Sequence, residues 1–248
     1  MRMDFYGCSF TAGDELVDDI FFPWKKECTD VGEYYIKRSE EFNTAGVLDE
    51  YKKQNYMLAY PAQIEKLTGH TTFNHADNGA GLREMVYKII HQVSTGDKPD
   101  HVFLQLPPTG REYVIDNIFP MTIQMSTINF VQQYARMEKY IREKVAVSTM
   151  YSWTVDDFMD LLMLDGFLDK RNIQYTLLDV GALDLRRKEL IGLSRYEFLN
   201  KEIDKLKPVY LINQCEYKHL FGGHFDADTH KRFAEYIVSN VLPNTQSK

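Results

Sequence analysis

The sequence predicts an α/β fold with a central parallel sheet and helices on both of its faces. Two observations carry this expectation. Short continuous apolar runs of strand length recur along the chain, and amphipathic segments of helical period alternate with them. Residues 3–8 (MDFYGC), 101–106 (HVFLQL) and 173–180 (IQYTLLDV) read as strands, the second as one buried in a parallel sheet.

The first run leads into Ser9-Phe10-Thr11-Ala12-Gly13. Residues 14–55 are polar and irregular (DELVDD, KKECTD, KRSEEF) and read as an insertion of loops and short helices. Residues 60–67 (YPAQIEKL) place a proline near a helix start and continue with helical apolar spacing. Residues 71–74 form a short β-prone stretch running into the turn-rich HADNGAG, and 82–93 (LREMVYKIIHQV) form an amphipathic helix. After the 101–106 strand and a Pro-Pro-Thr-Gly loop, a long helix is expected over about 121–146 and another over 155–164. The 173–180 strand follows, then a mixed stretch over 181–221 and a closing helix over 227–241.

Composition narrows the function classes. The net charge of −7 argues against nucleic acid as a partner, because phosphate recognition needs a concentrated basic surface. The short clusters Lys25-Lys26 and Arg186-Arg187-Lys188 read as solvated faces. Three cysteines (Cys8, Cys28 and Cys215) with no CxxC spacing make neither a disulfide framework nor a zinc motif. The first residues (MRMDFYGCSF) lack the apolar core of a signal peptide, and no run reaches the roughly 20 apolar residues of a membrane span. The expectation is a soluble, cytoplasmic protein with no membrane partner. His70, His75, His91 and His101 show no metal spacing, and no metal or other cofactor is expected.

Functional groups in open parallel sheets gather beyond the carboxyl ends of the strands. Ser9 follows the first strand, Asn78-Gly79 the second, and Gln105, Thr109 and Arg111 the third. Gly222-Gly223-His224-Phe225-Asp226 precedes the last helix. Together these would place a hydroxyl, backbone amides, an amide side chain and an imidazole around one crevice, the components of an acyl-transfer site.

Gly7-Cys8-Ser9-Phe10-Thr11-Ala12-Gly13 resembles the first block of the SGNH/GDSL hydrolase family, G-[DN]-S-[LIF]-[TS]-x-G. It is closer still to the G-C-S-[FY]-T-x-G variants common among bacteriophage-encoded members. Tyr60-Pro61-Ala62-Gln63-Ile64 resembles the [WY]-P-x-x-L segment of those proteins, and Asn74 to Gly81 their N-x-A-x-x-G-x-S block. The 101–106 strand with Arg111 downstream resembles the third block. Gly223-His224-Phe225 with His230 and Ala234 resembles the terminal D-G-H-P-x-x-x-x-H-x-x-x-A block.

The resemblance implies a flavodoxin-like three-layer α/β/α sandwich with a central parallel sheet, as one domain over 1–248 carrying the insertion at about 14–55. It implies serine-dependent hydrolysis of a small acyl ester, an O-acetyl group on a carbohydrate being the expected substrate. By the same resemblance Ser9 is the nucleophile and His224 the general base, and the backbone N–H groups of Ser9 and Gly79 are oxyanion donors. Asn78, Gln105 and Thr109 are candidate further donors, and Arg111 a candidate for an acidic substrate group.

Two departures stand out. The family places an aspartate two or three residues before the histidine, where this chain has Gly222 and Phe221, and none of Glu216, Asp226 and Asp228 is a convincing substitute. The G-x-N-D asparagine of the third block is also absent. A binding or structural protein on the same fold, and an O-acyltransferase, are the alternative expectations. His219 and His230 compete with His224, His230 being expected in a solvated or capping role on the last helix. Cys8 is expected to be a buried thiol on the strand face opposite Ser9.

Overall fold

The structure is a computed structural model and describes residues 1–108, 111–115, 120–124, 150–190, 196–220 and 223–245. Five parallel strands form the main sheet: β1 (Arg2–Tyr6), β2 (Thr71–Asn74), β3 (His101–Gln105), β6 (Gln174–Asp179) and β7 (Val209–Tyr210), in the order β2-β1-β3-β6-β7. Counted over the sheet's own strands this is the order 2-1-3-4-5, the flavodoxin-like doubly wound arrangement. The strand reversal at β1, between β2 and β3, opens a crevice at the carboxyl end of β1, where the serine loop lies.

Alternation along the buried strands feeds two cores. Tyr6, Val102, Leu104 and Leu177 pack with α6 (Leu82–Ser94), α7 (Met150–Asp169) and α8 (Ala182–Leu190). Met3, Phe5, Phe103 and Leu178 pack on the other face with α5 (Tyr60–Thr68) and α11 (Ala227–Tyr236), which continues through a π-helical turn at Ile237–Val241. Phe5 stacks on Phe103 at 4.6 Å across the β1–β3 pair. Burial on both faces is what the near-continuous apolar runs predict.

Several expectations need correction. The helix expected over about 121–146 is wrong at its start: Pro120–Gln124 (β5) pairs antiparallel with Arg111–Ile115 (β4). Proline is tolerated at the first residue of a strand, and the β-branched Thr122 and Ile123 suit the pairing that follows. The remainder of that expected helix lies outside the described residues. The first strand ends at Tyr6, two residues earlier than expected, so Cys8 is not a strand residue. It is the N-cap of α1 (Ser9–Ala12) and is fully buried against the α6–α7 side.

The basic clusters are not simply solvated faces either. Arg186 is fully buried with its Nε 2.8 Å from Asp157 Oδ2, and Lys25 is buried near Asp18. Residues 14–55, expected as loops and short helices, hold α2 (Asp18–Phe21), a 3-10 turn at Pro23–Glu27, the 15-residue α3 (Val31–Ala45) and the start of the 11-residue α4 (Leu48–Leu58). No described helix is long and apolar enough to cross a membrane.

Candidate active site

Ser9 is the first residue of α1, immediately beyond the β1 end. Gly7 lets the chain turn sharply there: a Cβ at this position would stand 1.9 Å from Thr11 Oγ1 and 3.3 Å from Gln105 Cβ. Thr11 is buried and donates to Gln105 Oε1 at 2.8 Å while sharing a 3.2 Å hydrogen bond with the Tyr60 hydroxyl. Asn74 at the end of β2 donates to the Thr11 carbonyl at 3.0 Å, and Asp77 N–H to the Gly7 carbonyl at 3.3 Å. The serine turn is therefore fixed from β2, β3 and α5 together.

His224 arrives from the far end of the chain. Its loop is closed by the isolated bridge between His219 and Phe225 and by the Leu220 N–H bond to the His224 carbonyl at 2.6 Å. Phe225 anchors the loop against Phe10 and Phe233, at ring separations of 5.2 Å each. The N-cap of α11 is Asp226, whose side chain accepts from Thr229 N–H at 2.8 Å. These contacts set His224 Nε2 2.7 Å from Ser9 Oγ.

The other face of the same imidazole meets a carboxylate that the sequence did not single out. Glu15 Oε1 lies 3.1 Å from His224 Nδ1. At that distance the two form an ion pair whenever the imidazole is protonated on both nitrogens. Glu15 is 1% exposed, and burial alone would push its carboxyl up. The contact with His224 and the hydrogen bond from Tyr35 more than offset this and hold it below the ordinary carboxylate range.

Gly13, at φ 75°, ends α1 and swings Asp14 and Glu15 back beneath the serine; a Cβ there would stand 2.8 Å from Ala59 Cβ. Only local signals existed for Glu15: an acid six residues past the serine, just after a glycine able to end the turn.

The remaining expected site residues fall in three groups. Asn78 and Gly79 lie exposed in the turn after β2, Gly79 with φ 81°. Gln105 is buried at the end of β3 with its Oε1 occupied by Thr11, and its Nε2 has no partner among the described residues. Arg111 lies on the β4 strand of the separate two-stranded sheet, and Thr109 lies outside the described residues.

The rivals of His224 are engaged elsewhere. His219 Nδ1 is 2.8 Å from the Gly223 carbonyl. His230 is buried rather than solvated; its Nδ1 accepts from Tyr60 N–H at 3.1 Å, capping the start of α5. Burial, with His224 nearby, lowers its pKa to about 3 and keeps it neutral.

Solved structures share this architecture. A carbohydrate esterase described as having an active site with divergent catalytic and non-catalytic binding functions matches at a TM-score of 0.54 and 12% identity, over 98% of this chain and 64% of that one. A carbohydrate esterase family 2 enzyme with a carbohydrate-binding domain, from Corynascus thermopiles (Myceliophthora fergusii), matches at 0.51 and 14% identity, over 100% of this chain and 67% of that one. A member of the lipolytic protein G-D-S-L family from Veillonella parvula DSM 2008 matches at 0.47 and 9% identity, over 98% of each chain. No family model matches the sequence, and no curated protein matches it. With its sheet order and its helices on both faces of the sheet, the chain has the fold of these two carbohydrate esterases.

Proposed function

We propose that this protein is a serine-dependent ester hydrolase acting on a small acyl ester, with an O-acetylated carbohydrate as its substrate. The observation that carries the reading is the line of three side chains from Ser9 Oγ through the His224 ring to Glu15 Oε1, with separations of 2.7 and 3.1 Å. A serine hydroxyl is a poor nucleophile until a base stands within hydrogen-bond reach, and a histidine base works best when its far nitrogen faces an anion.

In this reading Ser9 Oγ attacks the acyl carbon as His224 Nε2 takes the hydroxyl proton. The imidazolium so formed is stabilised by Glu15, which stays ionised. The negative charge on the carbonyl oxygen of the tetrahedral intermediate is met by the backbone N–H groups of Ser9 and Gly79. Collapse expels the alcohol, which receives the proton from His224. Water then repeats the sequence on the acyl-enzyme, giving the carboxylic acid and free Ser9.

The carbohydrate assignment draws on the two carbohydrate esterases that share the fold. A fold kept without chemistry was the alternative suggested by the missing acid before His224, and the Glu15 contact favours catalysis instead. The reading is tested by measuring acetate release from acetylated xylo-oligosaccharide and from p-nitrophenyl acetate. Turnover of both by the wild type and of neither by Ser9→Ala supports it; turnover that survives in Ser9→Ala contradicts it.

A further inference from the structure

Between Gly13 and α5 the chain contributes no strand to the main sheet, yet it supplies the carboxylate that faces His224. We propose that this helical segment is a positioning device for Glu15, with Tyr35 on α3 and Tyr51 on α4 as positioning residues and Arg38 as the ion that ties the two helices together. The proposal rests on the reading of Ser9, His224 and Glu15 as one reacting line.

Glu15 has φ 70°, a left-handed conformation that a residue with a side chain adopts only when its surroundings hold it there. Two hydroxyls do so. The Glu15 N–H donates to Tyr51 Oη at 3.0 Å, fixing the backbone. Tyr35 Oη donates to Glu15 Oε1 at 2.6 Å, fixing the carboxylate through the same oxygen that faces His224.

The Tyr51 hydroxyl is itself held, donating to Asp18 Oδ1 at 2.6 Å and accepting from Arg38 Nη2. Arg38 is buried, pairs with Asp14, and stands 5.1 Å from the ring centroids of both Phe42 and Tyr51. Tyr35 and Arg38 are three residues apart, so one face of α3 carries both. Asp30 caps the same helix, its side chain accepting from Glu33 N–H at 2.9 Å.

The charges fit the same role. Asp14, Glu15 and Asp18 set three carboxylates against the two cations Arg38 and Lys25 in this cluster. The imidazolium formed during acyl transfer supplies the third positive charge.

The test compares Tyr35→Phe, which removes one hydroxyl and little else, with Asp30→Ala, which uncaps α3 without touching Glu15. The low-field Nδ1–H resonance of His224 is followed by NMR at fixed pH, and kcat and KM are measured on p-nitrophenyl acetate. With Tyr35→Phe the carboxylate loses its tether, the resonance broadens or is lost, and kcat falls about tenfold with KM unchanged. Asp30→Ala lowers the melting temperature and leaves resonance and kcat unchanged.

Two results overturn the proposal. One is a Tyr35→Phe variant that keeps the wild-type His224 resonance and kcat. The other is an Asp30→Ala variant that loses both to the same extent as Tyr35→Phe. If the wild type turns over no ester, the hydrolase reading falls, and the His224 resonance still decides whether Tyr35 positions Glu15.

Discussion

His224 Nε2 lies 2.7 Å from Ser9 Oγ, although 215 residues separate the two in the chain. The serine is set by the glycine turn at the end of β1, and the histidine by the aromatic anchor of Phe225 before α11. Neither element is long, and each is pinned by hydrogen bonds to its neighbours. The pairing is therefore a product of the whole sheet and not of a local motif.

Glu15→Gln keeps the volume of the side chain and removes its charge. A neutral amide cannot stabilise the imidazolium, and loss of the acid in a serine–histidine–carboxylate line costs up to about 10⁴-fold in turnover. The expected outcome is a fall in kcat of about 10²- to 10⁴-fold with KM little changed, read by steady-state kinetics on p-nitrophenyl acetate. An unchanged kcat would mean that Ser9 and His224 act as a pair without Glu15.

Gly7→Ala tests the serine turn. The added methyl meets Thr11 Oγ1 at 1.9 Å and Thr11 Cβ at 2.6 Å, so Thr11 must move and give up its hydrogen bond to Gln105. Overpacking of this kind costs about 1–3 kcal/mol, to be measured as a lowered urea midpoint at unchanged slope. Labelling of Ser9 by a fluorophosphonate should slow in the same variant, because the turn that aims the hydroxyl is displaced.

Acid should destabilise the fold through two buried histidines. Burial lowers the pKa of His230 to about 3 and of His101 to about 4, from the ordinary 6.5. Below pH 6.5 the unfolded chain binds protons that the folded chain does not, so stability is full above that pH and falls as pH drops towards 4. Each histidine contributes a slope of about 1.4 kcal/mol per pH unit within this window. Urea unfolding at pH 7, 6 and 5 checks this, and His230→Gln should remove one histidine's share of the slope.

What could be read from the sequence was whatever local pattern dictates. The 101–106 run was legible because a strand buried on both faces is nearly continuous in apolar residues. β7 is only two residues long, too short to carry any periodicity. The β4–β5 hairpin was misread at Pro120–Gln124 because its apolar residues also fit a helix start, and cross-strand pairing decides such cases. Ser9 and His224, which the fold brings within 2.7 Å, were singled out through the blocks around them. Glu15 was not, because an acid can reach an imidazole from any loop the fold brings near, and here α3 and α4 bring it. The buried His230 escaped for the same reason: its partner is the backbone of α5, distant in sequence.

The most direct test of the account is intact-mass analysis after treatment with a fluorophosphonate probe, comparing wild type with Ser9→Ala and His224→Ala. The account predicts one covalent adduct on the wild type and none on either variant. A folded wild type that takes up no probe would contradict it, because Ser9 would then lack the activation that its distance to His224 implies.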